Sequence, residues 1–273
     1  MRPNMREALV VGASTSSFET RSSSAPQDEG GTLALRRPEG VSKGEEGIAS
    51  KIEAARALIA QALAAHPGRV ALVSSFGADA AALLHLTASV DPATPVIFVD
   101  TGRHFPETLA YVDQLERRLG LTDLRRVGPT SEEVAARDPE SSRAGYDPDG
   151  CCDLRKVVPL DRALRGFDAW LSGRKRFQAA TRAAIPATEE TDGRIKYNPL
   201  ADWTPADIEA YRRAENLPPH PLVKDGYLSI GCAPCTSPVR PGEDPRAGRW
   251  RGFGKTECGI HLSHAPATAE PIP

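Results

Sequence analysis

The sequence predicts an α/β fold in which a parallel sheet carries helices on both faces. Short apolar runs that fit buried strands alternate with segments of helical periodicity, a pattern typical of a Rossmann-like sheet. Of the 273 residues, 40% are hydrophobic, enough for one large domain with a sizeable core. The formal net charge of −2 argues against a general nucleic-acid-binding protein. No apolar run approaches the roughly 20 residues that a membrane-spanning helix needs.

The elements follow from the apolar spacing along the chain. Residues 1–47 are rich in Ser, Gly, Pro and charge, and we expect them to form a flexible leader. Order is expected from a helix at 48–65, where apolar residues recur at helical spacing. The pattern then predicts strands at 70–74 and 96–100, weaker strands at 124–127 and 169–172, and helices at 78–86 and 106–119, the last of which Gly120 can terminate.

The second half of the chain predicts one further helix and an irregular ending. Thr204 is a suitable N-cap, followed by Pro205 at the first helical position. From Pro218 onward the chain is dense in Pro and Gly, so we expect an ordered but irregular C-terminal segment. Ligands bind beyond the carboxyl ends of parallel strands. Ser74, Asp100 and Ser172 fall at such ends.

The five cysteines divide into two close pairs and one solitary residue. Cys151-Cys152 and the Cys232-Ala-Pro-Cys235 turn can supply four thiolates to one iron–sulfur cluster or to one zinc ion. The spacing leaves both metals open, and two separate structural or redox pairs are the alternative. Lys156 lies four residues after Cys152, so on a helix both side chains share a face.

Cys258 lies near the C-terminus among basic residues. Lys255, His261, Arg246 and Arg249 favour the thiolate, which is the nucleophilic form of cysteine. A free cysteine on a mobile surface segment is the alternative interpretation. No second cysteine neighbours Cys258 and no thioredoxin-like domain is evident, so a disulfide formed there would need an external dithiol.

Two segments at strand ends are suited to anion binding. The first is a strand-to-helix turn that begins with Ser74, Ser75, Phe76 and Gly77. Its backbone N–H groups can approach an anion, but an ordinary turn without a binding role would have the same sequence pattern. The run 172–182 begins with Ser-Gly-Arg174, where a glycine permits close approach and the arginine can make a bidentate contact. A solvated basic face is the alternative there, and Arg176 and Arg182 stay unassigned.

These motifs resemble, in the same order, those of the sulfonucleotide reductases within the adenine nucleotide alpha-hydrolase (PP-loop) superfamily. Residues 75–79, Ser-Phe-Gly-Ala-Asp, resemble its modified pyrophosphate-binding loop, and residues 100–108 resemble its "DTG…FPET" segment. Residues 172–182 are similar to its substrate arginine region, and Lys-Thr-Glu-Cys-Gly-Ile-His at 255–261 closely resembles its C-terminal signature. Both cysteine pairs together with Lys156 resemble the branch formed by the cluster-containing adenylylsulfate reductases. The resemblance runs over residues 51–262.

The resemblance implies a reductase domain at 48–264, with a catalytic segment at about 240–264 and a tail at 265–273. It implies an enzyme that reduces adenosine 5'-phosphosulfate to sulfite and AMP with thioredoxin, or a glutaredoxin-like dithiol, through an S-sulfocysteine at Cys258. It also implies one 4Fe-4S cluster on the four paired cysteines, which does not itself carry the electrons. The implied substrate-binding residues are Ser74, Ser75, Phe76, Gly77, Lys156, Arg174, Arg246, Arg249 and His261.

The setting expected from these observations is the cytoplasm, because an odd cysteine count without a secretory signal fits a reducing compartment. We expect no nucleic-acid or membrane partner, and a homo-oligomer stays open. Three rival functions remain. The first is a reductase for the 3'-phosphorylated substrate, whose dedicated members typically lack the cysteine pairs. The second is a tRNA-thiolating enzyme, which should carry a fuller Ser-Gly-Gly-x-Asp-Ser loop. The third is a non-catalytic zinc-binding module, which would be colourless.

Overall fold

A computed structural model describes residues 43–261, and these belong to one compact unit. The strands described there are β1 (Val70–Ser74), β2 (Val96–Val99), β3 (Leu124–Val127), β4 (Ala169–Ser172), β5 (Thr188–Thr191) and β6 (Arg194–Tyr197). They form one six-stranded sheet in the order β3-β2-β1-β4-β6-β5. Neighbouring strands pair in parallel, except for the edge strand β5, which is antiparallel to β6. The α/β class is therefore confirmed, with one antiparallel edge strand.

The α-helices of this region precede the first strand, separate the first four strands and follow the last strand. They are α1 (Lys43–Ala65), α2 (Ala80–Val90), α3 (Pro106–Leu119), α4 (Ser131–Arg137), α5 (Pro148–Cys152), α6 (Val158–Ala163) and α7 (Pro205–Ala214). A π-helical turn, Asp153–Val157, joins α5 to α6. Gly120 ends α3 with a left-handed φ of 62°. Thr204 caps α7 in a full capping box.

Helices cover both faces of the sheet. On one face α1, α2, α3 and α7 pack against alternate strand residues such as Leu72 and Phe98. On the other face, Ala71, Ile97 and Trp170 pack with Leu160 of α6 and with the residues that follow it. The strand residues divide between the two cores with the period of two that a pleated strand imposes. The central strands are buried on both sides, which is why they are continuous apolar runs.

Several boundaries differ from the expectations. The first helix begins at Lys43 instead of 48, so residues 43–47 of the expected leader are helical, while residues 1–42 and the expected tail 265–273 lie outside the described residues. The first cysteine pair lies at the end of α5, where the Asp147 carboxylate accepts the Gly150 N–H at 2.8 Å and Pro148 occupies the first helical position. Among the described residues no helix is long and apolar enough to cross a membrane.

The segment after α7 is irregular, as predicted. It contains two 3₁₀ turns, Pro221–Asp225 and Ala233–Cys235, and one isolated bridge between Thr236 and Arg249. The chain passes the carboxyl ends of the strands and ends, within the described part, beside the second core, where Ile260 packs. This course places residues from 228 to 261 over the sheet edge at which β1 and β4 end.

Candidate active site

A cleft of about 230 Å³ lies at the carboxyl ends of β1, β2 and β4. Its floor includes Ser74 at the end of β1 and Ser75 after it, Val99 at the end of β2, and Ser172 at the end of β4. Its other wall is the C-terminal segment, from Leu228 to His261. The cleft therefore lies where ligands bind in open parallel sheets. Asp100, at the end of β2, does not line it and instead accepts the Gly102 N–H at 2.9 Å.

The loop after β1 is shaped by two residues with different tasks. Phe76 has a φ of 49°, and its N–H donates to the Ser74 hydroxyl at 3.1 Å. Its ring is fully buried against Phe98, with ring centroids 5.4 Å apart, so it does not line the cleft. The Phe76 side chain therefore belongs to the core, and the expected ligand contact of Phe76 stays a prediction that concerns the loop backbone. A Cβ on Gly77 would lie 3.2 Å from the Ile230 carbonyl, so this position favours glycine.

Basic side chains surround the cleft. Lys156, Arg174, Lys175, Arg182, Arg246 and Arg249 all line it. Arg174 is buried and pairs with Glu189, and burial lowers its pKa to about 10. Lys175 is buried with Asp79 at 3.2 Å. Arg176 does not belong to this group, because it pairs with Asp202 and donates to the Ile185 carbonyl, a structural role.

Many hydrogen-bonding groups around the cleft have no partner within the protein. Seven buried side-chain N or O atoms of the described residues lack one, and five of these belong to cleft-lining residues: His104 Nδ1, Arg174 Nε, Arg249 Nε, Trp250 Nε1 and His261 Nδ1. Such atoms are rare in folded proteins and carry a desolvation cost. Their concentration here indicates a site completed by a polar ligand.

Cys258 is partly buried and lines this cleft. Its neighbour Glu257 pairs with Arg182 at 2.6 Å. His261 stacks on Trp170, with ring centroids 5.6 Å apart and an angle of 4° between the planes. Burial, reinforced by nearby arginines, places the pKa of His261 well below its ordinary value, so the ring is neutral at pH 7. Lys255 binds Asp149 of α5 and covers the ring of Trp250.

The two cysteine pairs meet at a second, smaller cavity. Cys151, Cys152, Cys232 and Cys235 all line it, and all four are buried free thiols. Lys156 is the one described residue that lines both cavities. The sequence prediction that the pairs converge, with Lys156 beside them, agrees with this placement.

A zinc ion and an iron–sulfur cluster require different distances between the sulfur atoms that bind them. No group of three or more His, Cys, Asp or Glu side chains within residues 43–261 is arranged to hold a single metal ion. A tetrahedral zinc ion, with Zn–S bonds of about 2.3 Å, needs its sulfurs about 3.8 Å apart. An iron–sulfur cluster spreads its thiolates over several iron atoms, so they lie farther apart. Four buried thiols around one cavity supply donors of the kind that both groups use.

Contacts remote in sequence hold the cysteine pairs in place. Thr101 Oγ1 lies 3.3 Å from Cys232 Sγ, and the Ala233 N–H donates to the Arg103 carbonyl at 2.8 Å. The segment 100–108 thus supports the Cys-Ala-Pro-Cys turn. On the other side, the π-helical turn follows Cys152 directly and carries Lys156. Single π-helical turns are frequent at functional sites.

Charge and burial oppose one another at this cavity. Burial raises the pKa of Cys152 to about 11, and it also raises the pKa values of Cys151 and Cys235. Burial has the same tendency at Cys232, but Lys156 and the Thr101 hydroxyl outweigh it and lower that pKa. Burial would lower the pKa of Lys156, yet the surrounding thiols raise it, so Lys156 is a cation. The site favours an occupant that neutralises clustered thiolates.

Comparison with known proteins identifies the family. The family model of the phosphoadenosine phosphosulfate reductase domain matches residues 69–238 of the sequence, more than half of the chain. The chain belongs to this reductase family. The reductase match includes the loop after β1 and both cysteine pairs. It ends before Arg246, Arg249, Cys258 and His261, so their assignment depends on the C-terminal motif and on their position in the cleft.

Individual reductases show the same relationship. The chain is 57% identical over 195 residues to an adenosine 5'-phosphosulfate reductase of Chelativorans sp. (strain BNC1), covering 71% of this chain and 80% of that protein. It is 48% identical over 207 residues to the enzyme of that name from Deinococcus radiodurans, covering 75% and 80%. The crystal structure of a phosphoadenylyl-sulfate reductase from Candida auris, in a phosphate complex, matches with a TM-score of 0.58 and 28% identity, covering 73% and 99%.

More distant structures establish the fold alone. Yeast FAD synthetase matches with a TM-score of 0.52 and 17% identity, over 73% of this chain and 70% of that chain. Together with the reductase structure it places the chain in the PP-loop fold that the sequence motifs predicted. Sequence reasoning did not assign a role to Thr101, Trp170 or Glu257. Each contacts a partner distant in sequence, so no local motif marks the pairing, although Thr101 and Glu257 lie within quoted motifs.

Proposed function

We propose that this protein is an assimilatory adenylylsulfate reductase, which converts adenosine 5'-phosphosulfate to sulfite and AMP. The names of relatives 48–57% identical support the substrate. One structural observation carries the proposal: Cys258 lines the same cleft as a ring of basic side chains and unpartnered hydrogen-bonding groups. An electrophilic polyanion is the kind of ligand that such a cleft suits.

The proposed binding residues divide by location. The loop of Ser74, Ser75 and Gly77 lies at the end of β1, where backbone N–H groups and the start of α2 favour an anion. Arg174, Arg246 and Arg249 add positive charge, and two of them have an unpartnered Nε. His261 adds a neutral ring with a free Nδ1. Lys156 reaches the cleft from the cysteine cavity.

The reaction begins with attack of the Cys258 thiolate on the substrate sulfur. A sulfur–sulfur bond forms, the bond from sulfur to the phosphate oxygen breaks, and AMP leaves with that electron pair. The arginines stabilise the charge that accumulates on the leaving phosphate. Cys258 then carries an S-sulfonate.

An external dithiol completes the cycle. One donor thiolate attacks the Cys258 sulfur, which expels sulfite and forms a mixed disulfide. The second donor thiol attacks the donor's own sulfur in this disulfide, which frees Cys258 and leaves the donor oxidised. The sequence has no cysteine beside Cys258 that could do this internally. We assign the donor role to thioredoxin or a similar dithiol protein in a reducing compartment, the cytoplasm.

We assign a 4Fe-4S cluster to Cys151, Cys152, Cys232 and Cys235. Four buried free thiols around one cavity support it, together with the resemblance of both cysteine pairs and Lys156 to the cluster-containing reductases. A bound cluster would supply a fixed charged centre beside the substrate site rather than the electrons of the reaction. Lys156 lines both cavities, so its ammonium is placed to couple their electrostatics.

The test uses protein purified without oxygen and supplied with thioredoxin and a reductant. We expect the wild type to release sulfite from adenosine 5'-phosphosulfate and Cys258→Ser to release none, while both stay brown and contain iron and sulfide. A colourless zinc protein would contradict the cluster. Turnover of the 3'-phosphorylated substrate alone would contradict the proposed substrate.

A further inference from the structure

The residue before the proposed nucleophile is held by an arginine from the far side of the cleft. Glu257 accepts two hydrogen bonds from Arg182, Nε to Oε1 at 2.7 Å and Nη2 to Oε2 at 2.6 Å. The Thr181 hydroxyl adds a contact at 3.3 Å, and Arg246 Nη2 lies 3.5 Å from Oε2. The Arg182 and Glu257 side chains are only 11% and 15% exposed. This is the parallel two-bond geometry that makes arginine–carboxylate pairs strong and directional.

Arg182 makes protein contacts through every nitrogen of its guanidinium group. Its Nη1 donates to Gln178 Oε1 at 2.6 Å, so each of its three guanidinium nitrogens has a protein partner. Arg174 and Arg249, in contrast, keep an unpartnered Nε in the same cleft. In this cleft, Arg174 and Arg249 therefore have a donor available to a ligand, whereas Arg182 binds the C-terminal segment.

The segment is also held on the other side of Cys258. Ile260 packs into the second core, and His261 stacks on Trp170. The Gly259 Cα faces Val157 so closely that an added Cβ would lie 3.3 Å from its methyl group. Cys258 thus lies between an apolar attachment and an ionic attachment, and residues of both line the cleft.

We propose that Glu257 and Arg182 are positioning residues that fix Cys258 over the cleft. The proposal depends on the function proposed above for Cys258. Holding a nucleophile in line with its target accounts for much of enzymatic rate enhancement, and a displacement of about 1 Å can cost about a hundredfold.

A competing role for Glu257 makes the opposite prediction. If the substrate displaced the carboxylate from Arg182 and Arg246, Glu257 would compete with ligand, and its removal would tighten nucleotide binding. A positioning role instead predicts a slower chemical step with nucleotide affinity unchanged. The two roles are separated by measuring both quantities.

The experiment compares cluster-containing wild type, Glu257→Gln, Arg182→Gln, Arg182→Lys and the double glutamine variant. The control is Glu209→Gln, which removes a carboxylate that also binds two arginines, Arg212 and Arg213, on α7. Three quantities are measured: single-turnover release of AMP from adenosine 5'-phosphosulfate, the dissociation constant for AMP, and the rate at which iodoacetamide alkylates Cys258, followed by peptide mass spectrometry.

We expect Glu257→Gln and Arg182→Gln to slow AMP release by about tenfold or more and to speed alkylation of Cys258, with AMP affinity within about twofold of wild type. The double variant should lose no more than either single variant, because the two residues act as one unit. Arg182→Lys should recover part of the loss, and Glu209→Gln should match wild type. Unchanged release and alkylation, or tighter AMP binding with unchanged release, would overturn the proposal. A wild type that releases no AMP would refute the proposed function, while alkylation would still decide whether the segment is held.

Discussion

A buried ion pair beneath the cysteine cavity predicts a large and specific loss of stability. Arg155 Nε and Nη2 lie 3.3 and 2.8 Å from Asp138 Oδ2, and the two side chains are 5% and 1% exposed. Arg155 also donates to the Thr101 carbonyl at 3.0 Å, and the Thr101 hydroxyl contacts Cys232. The pair therefore connects the core to one wall of the cysteine cavity.

The perturbation is Asp138→Asn. The new side chain keeps the volume and can still accept the Arg143 N–H that Asp138 Oδ1 accepts at 3.0 Å. It leaves the Arg155 cation buried without a counter-charge, which costs about 3–5 kcal/mol of unfolding free energy. Urea unfolding of the anaerobic cluster-containing protein measures the loss as a shift in midpoint. The matched control is Asp168→Asn. Its two-bond pair with Arg69 has side chains 46% and 54% exposed, so solvent screens it and we expect little or no shift in the unfolding midpoint.

A double variant separates the pair from its surroundings. Arg155→Met combined with Asp138→Leu removes both charges, so no unpaired ion is buried, and we expect it to be more stable than Asp138→Asn. The reasoning is refuted if Asp138→Asn costs less than about 1 kcal/mol, no more than the exposed control.

Three further predictions concern glycines and a buried histidine. In Gly231→Ala the new Cβ collides with the guanidinium of Arg249, which can move away. We therefore expect the affinity for AMP to fall by about tenfold, with little change in the unfolding midpoint. An unchanged affinity for AMP would contradict this prediction. In Gly128→Ala the new Cβ meets the rigid Asp100 carbonyl, and unfolding should become easier by about 1–3 kcal/mol; a wild-type midpoint contradicts this. Burial lowers the pKa of His220 to about 4, against about 6.5 in the unfolded chain. As the pH falls, the unfolded chain therefore takes up the proton before the folded chain does. The free energy of unfolding of wild type should fall by about 2 kcal/mol between pH 7 and pH 5, and His220→Gln should not show this loss. Equal losses in urea titrations of the two proteins would refute the prediction.

The sheet was predictable where apolar patterning was strong. The apolar runs of β1 and β2 were found because both of their faces are buried. The hairpin of β5 and β6 was missed because polar residues fill β5 and the fully buried Lys196 interrupts β6. A signal was nevertheless present. Asp192-Gly193, both with positive φ, is the two-residue turn that joins antiparallel strands.

The site was predictable where its chemistry is local in sequence. The paired cysteines, Lys156 and the motif around Cys258 could be read from spacing. Contacts between remote segments could not, such as Thr101 with Cys232, 131 residues apart, and Arg182 with Glu257, 75 residues apart. The fold alone brings such partners together, and neither member belongs to a recognisable pattern with the other.

The central claim is that Cys258 takes the sulfonate from the substrate, and trapping the product of that step tests it most directly. Anaerobic cluster-containing protein is mixed with adenosine 5'-phosphosulfate in the absence of any dithiol, then analysed by peptide mass spectrometry and for released AMP. The account predicts one SO₃ group on Cys258, AMP released in equal amount, and complete loss of the adduct when thioredoxin is added. AMP release with no adduct, or an adduct on another residue, would contradict it.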